Sequence, residues 1–463
     1  MPSRQDQLHS YQFMVQRVVA ALVMRETDPA QSPFRRAAGA TLASVLVAAI
    51  ALGAMAVYGA IAGGGSKSWR DSQAVVVEKE SGARYVYFEG KLHPVLNYAS
   101  ALLIVRSPTP RTVLVSRKSI EGVPRGVPLG IADAPDSLPA AGRLSDAPWA
   151  VCSIPASGNG SDTVRSALLV GSGATGGKVL GDDALLGRHP DGSLHLIWHN
   201  RRFQIRDREL VLSALTWTSE RPVPLAPALL NALPVGADLA RIPIADQGKK
   251  ATKVPGAVIG EVLVVESQDG GRQYLVAKRD GLAGITQVQA QLLLAATKQD
   301  GPTPISLGRF AGIRKLPDLV SHDATSPPAT RPRLVATGGA VCGQIPDDGG
   351  VREVRVEATV PGMPEHTGTG ARSPQGAALA DHVVVQPGRG VLVEAAAAPG
   401  ATGGAISVVT DLGRRHPVSS PEVLTMLGYG KAKPVRLPAN LVALVPAGRA
   451  LDPEAARAPA VWE

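Results

Sequence analysis

Aromatic residues are scarce in this sequence: phenylalanine, tryptophan and tyrosine together make up only 4% of its 463 residues. Because no basic cluster is interleaved with aromatic side chains, the net charge of +9 does not indicate a nucleic-acid-binding protein. A basic surface of this kind suits anionic envelope polymers or lipid head groups instead. With 50 glycines and 38 prolines, the composition favours many short strands joined by turns over a long helical bundle.

The local patterns of a catalytic centre are missing as well. No G-x-S-x-G segment occurs, so the sequence offers no nucleophile on a strand-to-helix elbow. His195 and His199 are four residues apart, but the segment HLIWH is typical of a strand, and no third ligand is close in sequence. We therefore predict no catalytic residue and no metal site, and we interpret both histidines as structural or surface residues.

Charge is absent from one long apolar stretch, Ala37 to Ala62, which exceeds the roughly 20 residues that cross a bilayer as a helix. A secretory signal has a shorter apolar core, although Ala60-Ile61-Ala62 resembles a cleavage site. We predict an uncleaved single-pass transmembrane helix over residues 37–62. An excess of cations before this helix predicts a cytoplasmic N-terminus and an extracytoplasmic remainder. The flanking cations are Arg17, Arg25, Arg35 and Arg36 on the N-terminal side, and Lys67 and Arg70 on the other.

Residues 1–36 form a leader with a helical pattern of its own. Apolar residues recur at steps of three and four, as on one face of a helix: Leu8, Tyr11, Val15, Val18 and Leu22. Pro29 and Pro33 end the pattern before the membrane helix. The pattern predicts an amphipathic helix that lies on the membrane or on a partner, with a weakly ordered leader as the alternative.

A glycine loop, LLVGSGATGGKVL, suggests a phosphate-binding site. The residues concerned are Gly171, Gly173, Gly176, Gly177 and Lys178. In a Walker A motif the first glycine would stand at Ser172, and a hydroxyl residue would replace Val179 to hold Mg²⁺. The alternative G-x-G-x-x-G fingerprint needs a helix after the loop, and glycines and a proline follow instead. We interpret the segment as a surface loop or hairpin without a cofactor, and a nucleotide site remains the alternative.

Four segments share a pattern of strand, turn and helix. Those beginning at Tyr85 and Ile406 both place His-Pro-Val shortly after a turn glycine, Gly90 or Gly413. Weaker copies begin at His195 and Tyr274, and the spacing between the copies is too irregular for a tandem solenoid. The residues predicted to cap the four helices are Asn97, Asp207, Gln287 and Ser420.

Segments rich in valine, isoleucine and leucine lie between these copies, and we predict that they form one central sheet: DTVRSALLVG, GAVIGEVLVVE, VREVRVEATV and DHVVVQPGRGVLVEA. The predicted fold class is α+β, with a single N-terminal transmembrane helix followed by an elongated extracytoplasmic region of four strand–turn–helix repeat domains around a central β-rich domain. The predicted boundaries are 1–36 for the leader, 37–62 for the membrane helix, 63–72 for a Gly/Ser spacer, 73–130, 191–245, 269–320 and 401–452 for the repeats, 146–190, 255–268 and 330–400 for the central domain, and 453–463 for a C-terminal tail.

Only two cysteines occur, Cys152 and Cys342, and both fall in the predicted extracytoplasmic part. An even number of cysteines in an oxidising compartment favours a disulfide, with two buried free thiols as the alternative. Because neither cysteine belongs to a C-x-x-C motif, we expect a structural bond and no redox chemistry.

The chain resembles the EccB family, a membrane component of actinobacterial type VII (ESX) secretion systems. The similarity extends nearly from end to end and includes the two cysteines. The segments that carry it are SYQFMVQRVVAALVMRETDP, GGGSKSWRDSQAVVVEKESGARYVYFEGKLHPVLNYASALLIV, VSRKSIEGVPRGVPLGIADAPDSLP, WAVC and LGYGKAKPVRLPANLVALVPAGRALDP.

This resemblance implies a complex with the partners EccC, EccD and EccE and with other copies of the same protein. It also implies four repeat domains around a central β-rich domain with one disulfide. Some descriptions of the family call it an ATPase, but the glycine loop departs from the Walker pattern and is predicted to face the outside. We therefore predict a structural subunit that braces the secretion assembly on the outer side of the cytoplasmic membrane. An ATP hydrolase is the alternative, and a module that binds peptidoglycan glycan is a weaker one.

Overall fold

The computed structural model describes residues 3–24, 33–63, 69–156, 163–268, 270–320 and 323–460. It is a mixed α and β structure in which two N-terminal helices precede five sheets. The leader forms α1 (Arg4–Met24), and the apolar stretch forms the longer α2 (Pro33–Gly63). Within α2, the segment Ala38–Gly59 is long and apolar enough to cross a membrane, and none of it is buried by the rest of the chain.

The end of the predicted spacer, 63–72, belongs to the folded part of the chain. Residues 64–68 lie outside the described residues, but Trp69 is almost fully buried. Its indole packs with Val76, Leu92 and Ile120 in a small apolar core. The spacer prediction is therefore wrong at this end. Burial of the large apolar side chain of Trp69 stabilises the fold and holds this residue in the core.

Four of the five sheets have the same order of elements. A first strand pairs antiparallel with the second, and the second pairs antiparallel with the third. A helix then leads to a fourth strand, which pairs parallel with the first. Sheet 1 consists of β1 (Ala74–Glu78), β2 (Arg84–Phe88), β3 (Lys91–Pro94) and β4 (Arg111–Val115).

Sheets 2, 3 and 4 repeat this order. Sheet 2 consists of β8 (Leu185–Arg188), β9 (Leu194–Trp198), β10 (Arg201–Ile205) and β11 (Val223–Pro224). Sheet 3 consists of β12 (Val262–Glu266), β13 (Arg272–Lys278), β14 (Gly281–Ile285), β15 (Thr303–Pro304) and an added edge strand, β16 (Lys315–Leu316). Sheet 4 consists of β20 (Val391–Ala396), β21 (Ala405–Val409), β22 (Arg415–Pro417) and β23 (Val435–Pro438).

The helices of these four sheets also correspond. Between the third and fourth strands lie α3 (Tyr98–Val105), α5 (Arg208–Ala214), α7 (Gln287–Thr297) and α9 (Pro421–Met426). After the fourth strands lie α4 (Arg117–Ile120), α6 (Pro227–Ala232), α8 (Leu307–Gly312) and α10 (Ala439–Val442). The predicted tail, 453–463, contains α11 (Pro453–Arg457), which packs on α3, while residues 461–463 lie outside the described residues.

Helix caps follow the sequence prediction in part. Asn97 caps α3, where its side chain accepts a hydrogen bond from the backbone of Ser100. For α7 the predicted cap Gln287 is wrong, because Thr286 holds that position and forms a capping box with Gln289. The threonine hydroxyl can accept the free N–H of the first turn at short range, and Gln289 bonds back to the cap.

The fifth, central sheet is assembled from distant segments in the order β19-β6-β5-β17-β18-β7. Its strands are β5 (Trp149–Pro155), β6 (Val164–Val170), β7 (Lys178–Val179), β17 (Ala340–Ile345), β18 (Glu353–Ala358) and β19 (His382–Val385). Short 3₁₀ turns at Ala141–Arg143 and Glu365–Thr367 flank it. Cys152 of β5 pairs directly with Cys342 of β17, and a disulfide joins the two residues.

Three strands that fall within the predicted bounds of the central domain belong to other sheets. The strand β8 within 146–190, the strand β12 within 255–268 and the strand β20 within 330–400 are the first strands of sheets 2, 3 and 4. Each pairs with the strand that follows it in sequence, because a short connection closes an antiparallel hairpin at little entropic cost.

Neighbouring sheets share apolar cores. One core combines Val75 and Leu103 from sheet 1 and α3 with Val408 and Tyr429 from the sheet 4 region. A second core joins the central sheet to sheets 2 and 4, and a third packs α7 against sheet 2. The first and last sheets are thereby joined, and the ion pair between Arg106 and Glu454 adds to this contact.

Candidate functional site

The glycine loop crosses the central sheet from β6 to β7, the strand at the far edge. The chain leaves β6 at Val170, passes through residues 171–177 and enters the two-residue strand β7. Lys178 therefore stands in a strand that pairs antiparallel with β18, and no helix follows the loop. A helix N-terminus is the element that would direct backbone N–H groups and a positive dipole at a phosphate, and this loop is not followed by one.

Close approach of β17 and β18 explains the glycines. A Cβ atom on Gly173 would lie 2.4 Å from Oε1 of Gln344, and one on Gly177 would lie 2.3 Å from the carbonyl oxygen of Val356. Gly176 and Gly177 also adopt positive φ angles, which side chains disfavour. The glycines are thus needed to let the loop lie against the sheet.

Backbone groups of the loop bond to the same two strands and the segment after them. Gln344 donates its side-chain amide to the carbonyl of Ala174 at 2.8 Å, and Arg355 donates to the carbonyl of Gly176 at 2.8 Å. The amide of Thr359 donates to the carbonyl of Thr175 at 2.8 Å. These three hydrogen bonds hold the loop against β17, β18 and the segment after β18.

Lys178 forms an ion pair on the protein surface. Its Nζ lies 3.3 Å from Oδ2 of Asp183, and Arg333 binds the same carboxylate. The Arg333 hydrogen bond is the main reason why the pKa of Asp183 lies below its usual value, with Lys178 contributing less. Asp183 thus joins Lys178 of β7 to Arg333 in the segment that leads into β17.

The two histidines, His195 and His199, contact different partners. His195 is buried in β9, with Nε2 at 3.2 Å from the hydroxyl of Ser193, while His199 lies in the following turn and pairs with Asp182. Burial is the main cause that lowers the pKa of His195, and the charge of Arg202 acts in the same direction. Across the described ranges, no group of three histidine, cysteine, aspartate or glutamate residues is placed to hold a metal ion.

Among the residues that the structure describes, three of the surface clefts have volumes of about 410, 380 and 370 Å³. The first lies beside the β8–β9 turn near His189, the second on sheet 3 near Gln247, and the third between sheets 2 and 4 near Asp348. Residues 171–178 line none of these three, so the glycine loop is not the wall of one of these cavities.

The two His-Pro-Val segments carry a structural feature that the sequence alone did not reveal. His93 and His416 are buried, and their Nδ1 atoms bond to the carbonyls of Val127 and Arg449. Each imidazole lies against a glycine on the parallel segment beside the third strand. A Cβ added to that glycine would lie 2.1 Å from His93 or 2.3 Å from His416.

All four sheets pair a residue of the third strand with a residue of complementary size on the neighbouring parallel segment, and we call this pairing the volume exchange. The positions of His93 and His416 are taken by Phe203 in β10 and Ala283 in β14. The glycines opposite the rings are Gly126, Gly236 and Gly448, and where the small residue Ala283 stands, the opposing residue is Leu316. A ring against glycine, or alanine against leucine, fills a similar space, as close packing of an interior requires.

The buried His416 makes stability depend on pH. Burial lowers the pKa of His416, and the charge of Arg414 adds to this effect, while the bond to the carbonyl of Arg449 opposes it. The unfolded chain then binds more protons than the folded chain, so stability is lost as the pH falls below the ordinary histidine value of about 6.5.

We expect His416→Phe to reduce this loss by up to about 1.4 kcal/mol per pH unit between pH 6.5 and 5. Denaturant unfolding at several pH values measures it. His366→Phe, at an exposed position, should leave the slope unchanged. If His416→Phe leaves the slope of stability against pH unchanged, the buried His416 is not the cause of the pH dependence.

Comparison with known proteins places the chain among secretion components. The family described as "Type VII secretion system ESX-1, transport TM domain B" matches residues 1–460. The ESX-2 secretion system ATPase EccB2 of Mycobacterium tuberculosis is 31% identical over 65% of this chain and 61% of its own length. The aligned region thus spans about three fifths of that relative. The ESX-3 secretion system ATPase EccB3 of Mycolicibacterium smegmatis is 27% identical over 96% of this chain and 88% of its own length.

Solved structures show the same fold over the whole chain. A chain of an intact ESX-5 inner membrane complex matches with a TM-score of 0.68 and 27% identity, covering 100% of this chain and 96% of the other. A chain of the EccB3 dimer from an ESX-3 core complex matches with a TM-score of 0.66 and 26% identity, covering 83% and 100%. With the family match over residues 1–460, these similarities lead to one conclusion: the chain belongs to the EccB family of type VII secretion systems.

Proposed function

We propose that this protein is a membrane-anchored, non-catalytic subunit of a type VII secretion complex of the inner membrane, where it braces the assembly on the outer side. The observation that carries the proposal is the similarity over the full chain to a chain of an intact ESX-5 inner membrane complex. A match that includes both N-terminal helices and all five sheets supports the same role for the whole chain, because it is not limited to one shared domain.

The membrane helix gives this role its geometry. We propose that α2 spans the membrane with the N-terminus in the cytoplasm, because arginines predominate before it and few cations follow it. The sheets would then lie outside, where an oxidising environment favours the bond between Cys152 and Cys342. A structure of a periplasmic assembly from an ESX-5 complex that matches 85% of this chain supports this orientation.

Sheets 1 to 4 are, in this proposal, four copies of one repeat unit arranged around the central sheet. Their common order of strands and helices supports this, as does the matched exchange of ring and glycine. Such units present similar surfaces at fixed separations, which suits contact with neighbouring subunits. The partners we propose are EccC-, EccD- and EccE-type components and other copies of this chain, and peptidoglycan is a further candidate.

An ATP hydrolase is the second candidate function, because the curated relatives carry "ATPase" in their names. The geometry of the glycine loop argues against this function for the present chain. Its lysine is paired with a carboxylate, and a strand follows the loop in place of a helix. We therefore propose that the protein binds no ATP.

The two functions differ in the expected effect of Lys178→Ala. We expect this variant to secrete at the normal level and to assemble normally, because it removes one ion pair of an exposed lysine, and such surface pairs contribute little to stability. Secretion and co-purification of the membrane complex measure the effect. Lys250→Ala, which removes another exposed lysine, is the matched control. Loss of secretion in Lys178→Ala alone, with the complex intact, would favour the ATPase.

The leader helix α1 supports a docking role on the cytoplasmic side. Of its apolar side chains, Val15 is 43% and Val18 53% exposed, so they have no partner in the described part of the chain that covers them. Burying each such side chain is worth roughly 1.5 to 3 kcal/mol. We propose that a membrane component of the complex covers this face.

We expect Val15→Asp with Val18→Asp to release the protein from the complex while the extracytoplasmic part stays folded. The control variant Gln12→Asp with Gln16→Asp adds the same charge to exposed polar positions of the same helix and should be retained. Co-purification with the membrane complex gives the readout. Equal retention of both variants would show that this face does not dock.

A further inference from the structure

Sheet 1 has an open edge at β4. This strand, Arg111–Val115, pairs with β1 on one side, and no strand among the described residues pairs with it on the other. The opposite edge of the sheet is covered, because β3 contacts the parallel segment through Arg125 and Leu129, which is in turn bonded to Pro459. An unpaired edge is a template for another strand unless the sequence blocks it.

The corresponding edge strands of the other three sheets are blocked by proline. In β11, β15 and β23 the strand ends at Pro224, Pro304 and Pro438, and two of these strands have only two residues. Proline lacks the N–H that pairing needs. In contrast, β4 has five residues without proline, and Leu114 on it is 61% exposed.

The outward backbone groups of β4 belong to Thr112 and Leu114. The carbonyl of Val115 accepts the amide of Lys79, so Val115 bonds towards β1. Because the bonding direction alternates along a strand, Val113 also bonds inward, and the intervening residues bond outward. Val113 packs its side chain against the small core of Trp69, whereas Thr112 and Leu114 are exposed.

We propose that two copies of this chain join sheet 1 to sheet 1 by antiparallel pairing of their β4 strands about Val113. This inference rests on the proposed function as a subunit of a multi-copy assembly. Thr112 of each copy then pairs with Leu114 of the other, and the exposed amides and carbonyls of both residues form four hydrogen bonds. Arg111 stands opposite the second copy's Val115, and Leu114 gains an apolar neighbour in the methyl group of Thr112.

This register is the one that the sequence favours. Shifting the centre to Thr112 would place Leu114 opposite Pro110, which has no N–H to donate. Shifting it to Leu114 would place Arg111 opposite Arg117, where like charges repel. With the centre at Val113, all five residues of β4 pair, and no like charges face each other. Two copies are therefore complementary to each other through one two-fold axis.

Cysteine cross-linking of the full chain in native membranes tests this register. In an antiparallel pair without mutual hydrogen bonds, opposing Cα atoms lie about 4.5 Å apart, which allows a disulfide. Val113→Cys should therefore form a dimer on mild oxidation. Leu114→Cys is the matched control and should not, because the two residues 114 lie about 9 Å apart in this register. A dimer in Leu114→Cys without one in Val113→Cys would overturn the proposal.

Leu114→Pro gives a second test, because it removes an outward N–H without disturbing the bonds to β1. Combined with Val113→Cys, it should lower the cross-linked fraction about tenfold while the chain stays in the complex. If Val113→Cys forms no cross-link within an intact complex, the β4–β4 pairing is wrong while the proposed function stands. If Leu114→Pro instead removes another subunit from the complex, that subunit is the partner of the β4 edge. Absence of the unsubstituted chain from the complex would instead contradict the proposed function.

Discussion

Replacing Gly236 with leucine is expected to destabilise sheet 2 by about 3 kcal/mol, since the added side chain has no space. A Cβ at this position would lie 2.2 Å from the ring of Phe203, which is fully buried. The ring cannot move away, because it packs in the same core as Leu196, Val211 and Trp217. Overpacking must therefore displace the backbone or force strained rotamers.

Adding Phe203→Ala should restore much of the lost stability. The double variant recreates the pair that sheet 3 uses, in which Ala283 stands opposite Leu316. Phe203→Ala alone leaves a cavity and should cost about 3 to 5 kcal/mol. We therefore expect the double variant to be more stable than either single variant, with a coupling energy of up to about 3 kcal/mol.

Denaturant unfolding of the full chain measures this coupling, and tryptophan fluorescence is a suitable signal because Trp198 and Trp217 lie in this core. Gly301→Leu is the control, since a side chain there meets open space. Additive effects of the two core substitutions would show that the ring and the glycine do not share one space.

The volume exchange could be predicted from the sequence only in part. The shared His-Pro-Val at Gly90 and Gly413 indicated two related segments, because identical residues stand at one offset. Phe203 and Ala283 gave no such signal, since their relation to the histidines appears only beside Gly236 and Leu316. The partners lie about 30 residues away in sequence, and local sequence patterns do not show which distant residue fills a given space.

The sequence also did not show which strands pair with each other. The apolar runs that form β12 and β20 were predicted as strands, and the structure has strands there. Their assignment to the central sheet was wrong, because periodicity identifies a strand but not its neighbour. For the glycine loop, in contrast, the prediction that no helix follows needed only neighbouring residues, and the structure has the strand β7 there.

Removing the disulfide is expected to lower the free energy of unfolding by up to about 5 kcal/mol in Cys152→Ala with Cys342→Ala. The bond spans a sequence separation of 190, and sheets 2 and 3 lie within that loop. Without the bond, the unfolded chain has a higher conformational entropy. Folding must then overcome the entropic cost of closing this long loop.

Alanine is the suitable replacement, because both cysteines are fully buried among apolar residues such as Leu169. Serine would add the separate cost of a buried hydroxyl without a partner. The strands β5 and β17 still pair through their backbones, in a register that runs from Trp149 opposite Ile345 to Ser153 opposite Val341. The native fold should therefore persist without denaturant. The loss should therefore appear as a lower denaturant midpoint and not as a different fold.

Reduction of the unsubstituted protein supplies the matched comparison. If the bond acts mainly on the unfolded chain, reduced protein and the double alanine variant should unfold at similar denaturant concentrations, and both below the oxidised protein. An unchanged midpoint in both would mean that the pairing of β5 with β17 already holds the two ends of the loop without the bond. In that case the stability of the central sheet would come from its apolar core, which includes Trp149, Val341 and Ile345.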